Sequence, residues 1–325
     1  MMTTRRRFTT MTAGALAAPA LPKLAFGQTW PGRIIRTIVP FSAGSSVDII
    51  ARIVCTKLSD DLGHSLVVEN RGGAAGTIGA AIVAKADPDG YTILAHASAH
   101  TIAPAIYQTL PYDPAKDFAA VASFGTIPNV LVIAPEKRLT TIGTFVTAAK
   151  ASGKFTYASA GIGSASHWAA ERLRASAGFD GTHIPFKGGL DALTEVVAGR
   201  VDFTCMGLSS ALPFVRGGQL LALAVSTRMR SKALPEVPTT TESGYPNSDY
   251  NYWNGFLVPA NTPRPIVNKL YQETTRILSL PDVLDKFAPQ GIEPMPVTPT
   301  QFDTLIRAEI ADNKALMQAI GIKPI

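Results

Sequence analysis

The sequence predicts an α/β protein folded as two lobes with a cleft between them, and three observations carry that expectation. From Arg33 onward, short β-branched runs alternate with amphipathic stretches, as in strand–helix units. An extended stretch is interrupted at Pro128-Asn129 and another, Tyr250 to Pro259, follows far downstream, so the chain crosses between lobes twice. Two loops of small residues, one per lobe, each join a strand to a helix.

The first unit is a strand at Ile34–Val39, a loop Phe41–Ser45 and a helix Ser46–Leu62 whose Ile50, Ile53, Val54, Lys57 and Leu58 give one mainly apolar face. A strand Ser65–Glu69 leads through the glycine-rich Asn70–Gly76 into a helix ending near Lys85. The turn Asp87-Pro88-Asp89-Gly90 precedes a third strand, Tyr91–Ala95. Phe118–Phe124 and Val130–Ile133 read as two extended pieces. The second lobe repeats the pattern with helices at about Thr141–Ser152, from near Ser164 and at Leu190–Ala198, and with strands at Phe155–Tyr157, His183–Pro185, Val201–Cys205 and Leu220–Ser226. Helices at Pro265–Ser279, Pro281–Phe287 and Pro299–Ile320 close the chain; Pro265 and Pro281 sit at helix starts, where the missing N–H costs nothing. The expected division is 28–127 with 250–325 in one lobe and 128–249 in the other.

Residues 1–27 read as a signal peptide. Arg5-Arg6-Arg7-Phe8 precedes a modestly apolar, Ala-rich run and the small-residue pattern Ala25-Phe26-Gly27, with cleavage expected after Gly27. The paired arginines and the weak apolar run suggest the twin-arginine route, with ordinary secretion as the alternative. Either route places the mature chain in the periplasm. Removal of Arg5, Arg6, Arg7 and Lys23, with no acidic residue among the 27, takes the formal charge from +6 to +2. A nearly neutral mature chain without a basic cluster is a poor nucleic-acid binder. At 46% hydrophobic and 17% charged it has material for two cores, yet no later run is long and apolar enough to span a membrane. Cys55 and Cys205 fall in different lobes and read as two buried free thiols.

Enzyme signatures are missing: there is no G-x-S-x-G, no G-x-x-x-x-G-K-[ST] and no H-E-x-x-H, and neither cysteine has a metal-binding spacing. No cofactor or metal is expected. The glycines at 73, 76 and 79 follow a strand but lack the leading G-x-G of a dinucleotide site. His96 and His100, spaced i, i+4, read as structural or cleft-lining rather than metal-binding.

What remains are the two loops, Phe41-Ser42-Ala43-Gly44-Ser45-Ser46 and Ser159-Ala160-Gly161-Ile162-Gly163-Ser164-Ala165-Ser166. Each opens a helix, where free backbone N–H groups and the helix dipole favour an anion, and small side chains let the main chain approach closely. A carboxylate clamped between them binds without arginine. Plain helix capping by Ser45 and Ser164, with Asp48 and His167 at the third helical position, uses the same geometry.

At these loops the sequence resembles the Bug family, the solute receptors of tripartite tricarboxylate transport systems. The matching blocks are Val39-Pro40-Phe41-Ser42-Ala43-Gly44 with Asp48 and Ala51-Arg52, then Glu69-Asn70-Arg71 with Gly73-Ala74 and Gly76, and Asp87–Thr92. Tyr157–Gly161, Phe186-Lys187-Gly188, Gly199-Arg200-Val201-Asp202, Leu221–Ala224 and Leu234–Thr239 extend the match over essentially the whole mature chain. The resemblance implies a type II periplasmic-binding fold whose first lobe takes both chain ends, and a ligand carboxylate held between the loops partly through water. It implies ligand-binding roles for Ser42, Ala43, Gly44, Ser45, Asp48, Ser98, His100, Ser159, Gly161, Gly163, Ser164, His167, Lys187 and Gly188. Asp48 either receives an amino group or orders its own loop.

Two departures bear on the ligand. Ser45 replaces a usual second glycine, and Met206-Gly207 stands where the family often carries Asp-Asn. Losing that acid and amide argues against a distal ammonium or other strongly polar group and for an apolar or aromatic far end, with Met206 and either Trp253 or Phe41 contributing. The expected protein is a monomeric solute receptor for a small carboxylate, without catalysis, serving a two-component membrane permease. The alternatives are a sensor whose liganded form docks on a signalling protein, and a hydrolase of carboxylate esters using Ser164 or Ser98 with His167 or His100.

Overall fold

In the computed structural model, residues 30–319 and Pro324 are described; the predicted signal peptide lies outside them. The chain runs β1 (Ile35–Val39), α1 (Ser46–Leu62), β2 (Leu66–Asn70), α2 (Thr77–Ala84), β3 (Thr92–Ala97), α3 (Ala99–Ile106) and β4 (Phe118–Ile133). It continues through α4 (Ile142–Ser152), β5 (Phe155–Ser159), α5 (Ala165–Ala177), β6 (Gly181–Pro185), α6 (Gly189–Val197), β7 (Phe203–Gly207), α7 (Leu208–Arg216) and β8 (Leu221–Val225). The last elements are β9 (Asn251–Pro259), α8 (Arg264–Leu278), α9 (Pro281–Phe287) and α10 (Pro299–Ala319).

The strands form one path, β2-β1-β3-β9-β4-β7-β5-β6, with β8 on β4. The two expected pieces of β4 are a single strand of 16 residues. Its first part, Phe118 to Pro128, pairs with β9, and from Asn129 on it pairs with β7 and β8. Pro128 does not break the strand; its missing N–H falls where the ladder changes partners. β1, β2 and β3 are mutually parallel, as are β5, β6 and β7, so the helices that follow β1, β3, β5 and β7 start at the same sheet ends as the cleft.

Helix α1 shows why the sequence folds this way. Ser45 caps it, Gly63 ends it in the left-handed region, and Ile50, Val54 and Leu58 are fully buried on the face that the spacing marks. Each such side chain contributes about 1.5–3 kcal/mol of burial. Two helices, α3 and α7, have no counterpart among the expected elements, because each is short and carries an internal proline, Pro104 and Pro213. β7 begins two residues later than expected and includes Met206 and Gly207. Cys55 and Cys205 are buried free thiols, and burial pushes each up to about 12. Among the described residues no helix is long and apolar enough to cross a membrane.

Candidate functional site

The two small-residue loops are built alike. Gly44 and Gly163 adopt φ of 76° and 87°, a conformation that side chains rarely take, and each turns the chain into a capping serine. Ser45 Oγ accepts the Asp48 N–H at 3.3 Å, and Ser164 Oγ accepts the His167 N–H at 3.3 Å. The same third-position residues reach back: Gly44 N–H donates to Asp48 Oδ2 at 2.9 Å, and Gly163 N–H donates to His167 Nδ1 at 3.1 Å. Capping therefore uses the third N–H of each helix. The first two, on Ser46 and Val47 of α1 and on Ala165 and Ser166 of α5, have no intrahelical acceptor.

Those four residues line one cavity of about 40 Å³ between the loops. Its wall also holds Ala99 at the start of α3, Gly189 at the start of α6, and Gly207 and Ser210 at the start of α7. Five helix N-termini thus converge on it, and among the described residues no charged side chain lines it. Phe41, Ala97, Met206 and Tyr252 supply apolar wall, and Asn129 is its one amide. The lobes meet around it: Ser46 Oγ lies 3.0 Å from Ser210 Oγ, and Tyr107 donates to Ile162 O at 3.1 Å. Converging N–H dipoles without a basic side chain suit an anion that is held by the main chain.

The sequence-derived candidates fall into four groups. Phe41, Ser45, Ser164 and Met206 line the cavity. Gly44, Asp48, Ser159, Gly163 and His167 lie behind it as loop supports. Asp48 is 3% exposed and is bonded to Gly44 N, Arg52 and Asn70; although burial alone would raise it, those bonds hold its carboxyl below the usual carboxylate range. Ser159 Oγ lies 2.6 Å from His183 Nε2 and also accepts the Gly161 N–H. His183 stacks on His167 with ring centroids 4.1 Å apart, and burial pushes His167 down to about 4 and His183 to about 3, so both are neutral.

The third group sits at the mouth of the cleft. Gly161 and Lys187 line a separate cavity of about 550 Å³ with Gly73, Ala74, Tyr107, Phe186 and Asp191. Ala43 is exposed at the tip of the first loop. Gly188 lies so close to Ser42 that any Cβ there would overlap the serine hydroxyl, which lets the two lobes touch. The fourth group lies elsewhere. Ser98 Oγ accepts the Trp253 N–H at 3.0 Å and fastens α3 to β9, while His100 is fully buried with Nε2 2.9 Å from Pro114 O.

Trp253 turns to the far face of β9, where its Nε1 donates to Glu309 and its ring meets Phe302. Its neighbour Tyr252 is the one that lines the cavity, as strand alternation requires. Neither serine of the hydrolase alternative is bonded to its imidazole: Ser164 Oγ meets Ser166 Oγ and the His167 main chain, and Ser98 meets Trp253. Asn129, Ser210 and Tyr252 are among the lining residues that the sequence pattern does not reveal. Asn129 showed only as a strand interruption, Ser210 belongs to the unassigned α7, and Tyr252 could be chosen over Trp253 only once strand parity was known.

A mixed sheet crossed by one long strand, with helix N-termini facing each other across a cleft, is the architecture of a periplasmic binding protein. A protein from R. palustris solved with adipate matches at a TM-score of 0.88 and 30% identity, over 91% of this chain and 100% of that one. MatC from Rhodopseudomonas palustris with bound malate matches at 0.84 and 32%, over 88% and 99%. Among sequences, BugT of Bordetella pertussis is 33% identical over 312 residues, 95% of each chain, and the "UPF0065 protein in tcbD-tcbE intergenic region" of Pseudomonas sp. (strain P51) is 36% identical over 284 residues, 87% of this chain and 84% of that protein. The family model described as the tripartite tricarboxylate transporter family receptor matches residues 50–322. The chain belongs to that family, the TctC-like Bug receptors, whose members are periplasmic binding proteins.

Proposed function

We propose that this protein is an exported receptor that captures a small carboxylate between its two loops and delivers it to a two-component membrane permease. The observation that carries the reading is the set of free first-turn N–H groups on α1 and α5, backed by three more helix N-termini around a cavity without charged side chains. The ligands of two relatives, adipate and malate, are both dicarboxylates. Phe41, Met206 and Tyr252 favour an apolar body beyond the carboxylate, consistent with the missing Asp-Asn pair at 206–207.

The division into lobes at 127/128 and 249/250 is supported by the change of partners along β4. A cavity of about 40 Å³ admits one or two waters, so a dicarboxylate enters only when the lobes part and is then enclosed as they close. The mouth cavity with Lys187 gives a longer ligand room to extend toward a cation. Export by the leader at 1–27, a monomeric mature form and the absence of turnover complete the reading.

A thermal-shift screen of the purified mature chain against mono-, di- and tricarboxylates, neutral sugars and polyamines tests this reading, because a ligand that binds only the folded state raises Tm by mass action. Stabilisation by carboxylates alone is expected. Stabilisation by sugars or polyamines with no response to any carboxylate would refute it.

A further inference from the structure

We infer that Asn129 is a specificity residue that reads a hydroxyl group on the ligand, which makes hydroxycarboxylates the preferred ligand class. The inference rests on the carboxylate-receptor reading and goes one step further into the same cavity. Asn129 is 1% exposed, lines the cavity, and among the described residues neither its Nδ2 nor its Oδ1 has a hydrogen-bond partner. An unpaired buried amide is costly in both directions, since its N–H₂ needs an acceptor and its oxygen needs a donor.

The main chain holds this amide in place. Asn129 N–H donates to Ser226 Oγ at 3.0 Å, Asn129 O accepts the Ser226 N–H at 2.8 Å, and the residue pairs with Gly207 on β7. It sits where β4 changes sheet partners, so it stays near the hinge while the two loops move. A side chain anchored at that point is preorganised for recognition.

The chemistry of the partner follows from the amide. A carboxylate only accepts, so it would satisfy Nδ2 and leave Oδ1 without a donor. An apolar group would satisfy neither. A group that both donates and accepts completes the pair, and a hydroxyl is the smallest such group that a carboxylic acid carries. The anion and the hydroxyl are then read by different parts of the site: the helix N-termini take the charge, and Asn129 takes the neutral polar group.

The test compares matched acids on the mature chain by calorimetry: malate against succinate, and 3-hydroxyglutarate against glutarate, using both enantiomers of malate. At least one hydroxy acid is expected to bind about tenfold to a hundredfold more tightly than its deoxy partner. In Asn129→Leu that gap is expected to collapse while the deoxy acid retains its affinity. Equal affinities in the unmodified protein would overturn the inference, showing that a water satisfies the amide. A gap that persists in Asn129→Leu would overturn it as well, because the hydroxyl would then be read elsewhere. The first comparison needs no variant and stands even if the substitution impairs folding. Failure of every acid to bind, hydroxylated or not, would instead refute the carboxylate reading on which the inference rests.

Discussion

The two cleft loops share one design and differ most in the side chain that anchors each from beneath. Gly44-Ser45-Ser46-Val47-Asp48 and Gly163-Ser164-Ala165-Ser166-His167 have the same left-handed glycine, the same serine cap and the same return bond from the third helical side chain to the glycine N–H. In the first lobe that side chain is a carboxylate tied to Arg52 and Asn70; in the second it is a neutral imidazole stacked on His183. The main chain presented to the cavity is therefore the same on both sides, while the anchors beneath it differ in charge. The first loop is fixed by an ion pair within its own lobe, and the second depends on imidazoles staying unprotonated.

The largest expected effect tests the sameness. Ser45→Glu and Ser164→Glu each place a carboxylate against the bound one, and each should weaken carboxylate binding by roughly a hundredfold or more in calorimetry. Loss in only one of the two variants would show that the loops do not share the anion.

The next prediction tests the difference. Asp48→Asn turns an amide N–H₂ toward donors from Gly44, Arg52 and Asn70 and should cost about 3 kcal/mol in urea unfolding. His167→Asn keeps an acceptor for the Gly163 N–H and should cost about 1 kcal/mol. Equal costs would remove the distinction between the anchors.

A pH series separates them further. His167 and His183 are pushed down to about 4 and about 3, so the unfolded chain binds more protons than the folded one below about pH 6.5. Their contribution is complete above that pH and is lost as pH falls toward 4. His96 and His100, also depressed by burial, act in the same direction, so His167→Asn should flatten the slope of stability against pH without abolishing it. Asp48 is held down as well, although burial opposes it, by bonds that favour its charged form, so it keeps its contribution until the pH drops below about 4. A stability profile flat from pH 7 to pH 5 would contradict the neutral-imidazole anchor. The smallest effect is a matched pair, with Ser45→Ala and Ser164→Ala each losing about 1 kcal/mol through the cap.

Most of the architecture was legible in the sequence, because periodicity and turn residues mark elements such as α1 and β5 locally. Both loops were legible for the same reason, since glycine and serine before an amphipathic run specify a capped helix start. What escaped notice depends on contacts between distant segments. α7 is short and interrupted by Pro213, so its N-terminus and Ser210 were not visible as part of the cleft. Asn129 and Tyr252 matter because of the face they present in a strand shared by the two lobes, and Pro128 beside Asn129 suggested an ending where the strand in fact continues. Ser98 and His100 stand near the cleft in sequence order, yet they serve β9 and the Pro114 turn.

In the proposed site, one carboxylate is shared by the first-turn amides of α1 and α5. An amide NMR titration of the isotope-labelled mature chain with whichever carboxylate stabilises it tests that claim most directly. The N–H signals of Ser46, Val47, Ala165 and Ser166 are expected to move together, and farthest downfield, with one common affinity. Movement confined to one loop, or centred on Lys187 and the mouth of the cleft, would contradict it.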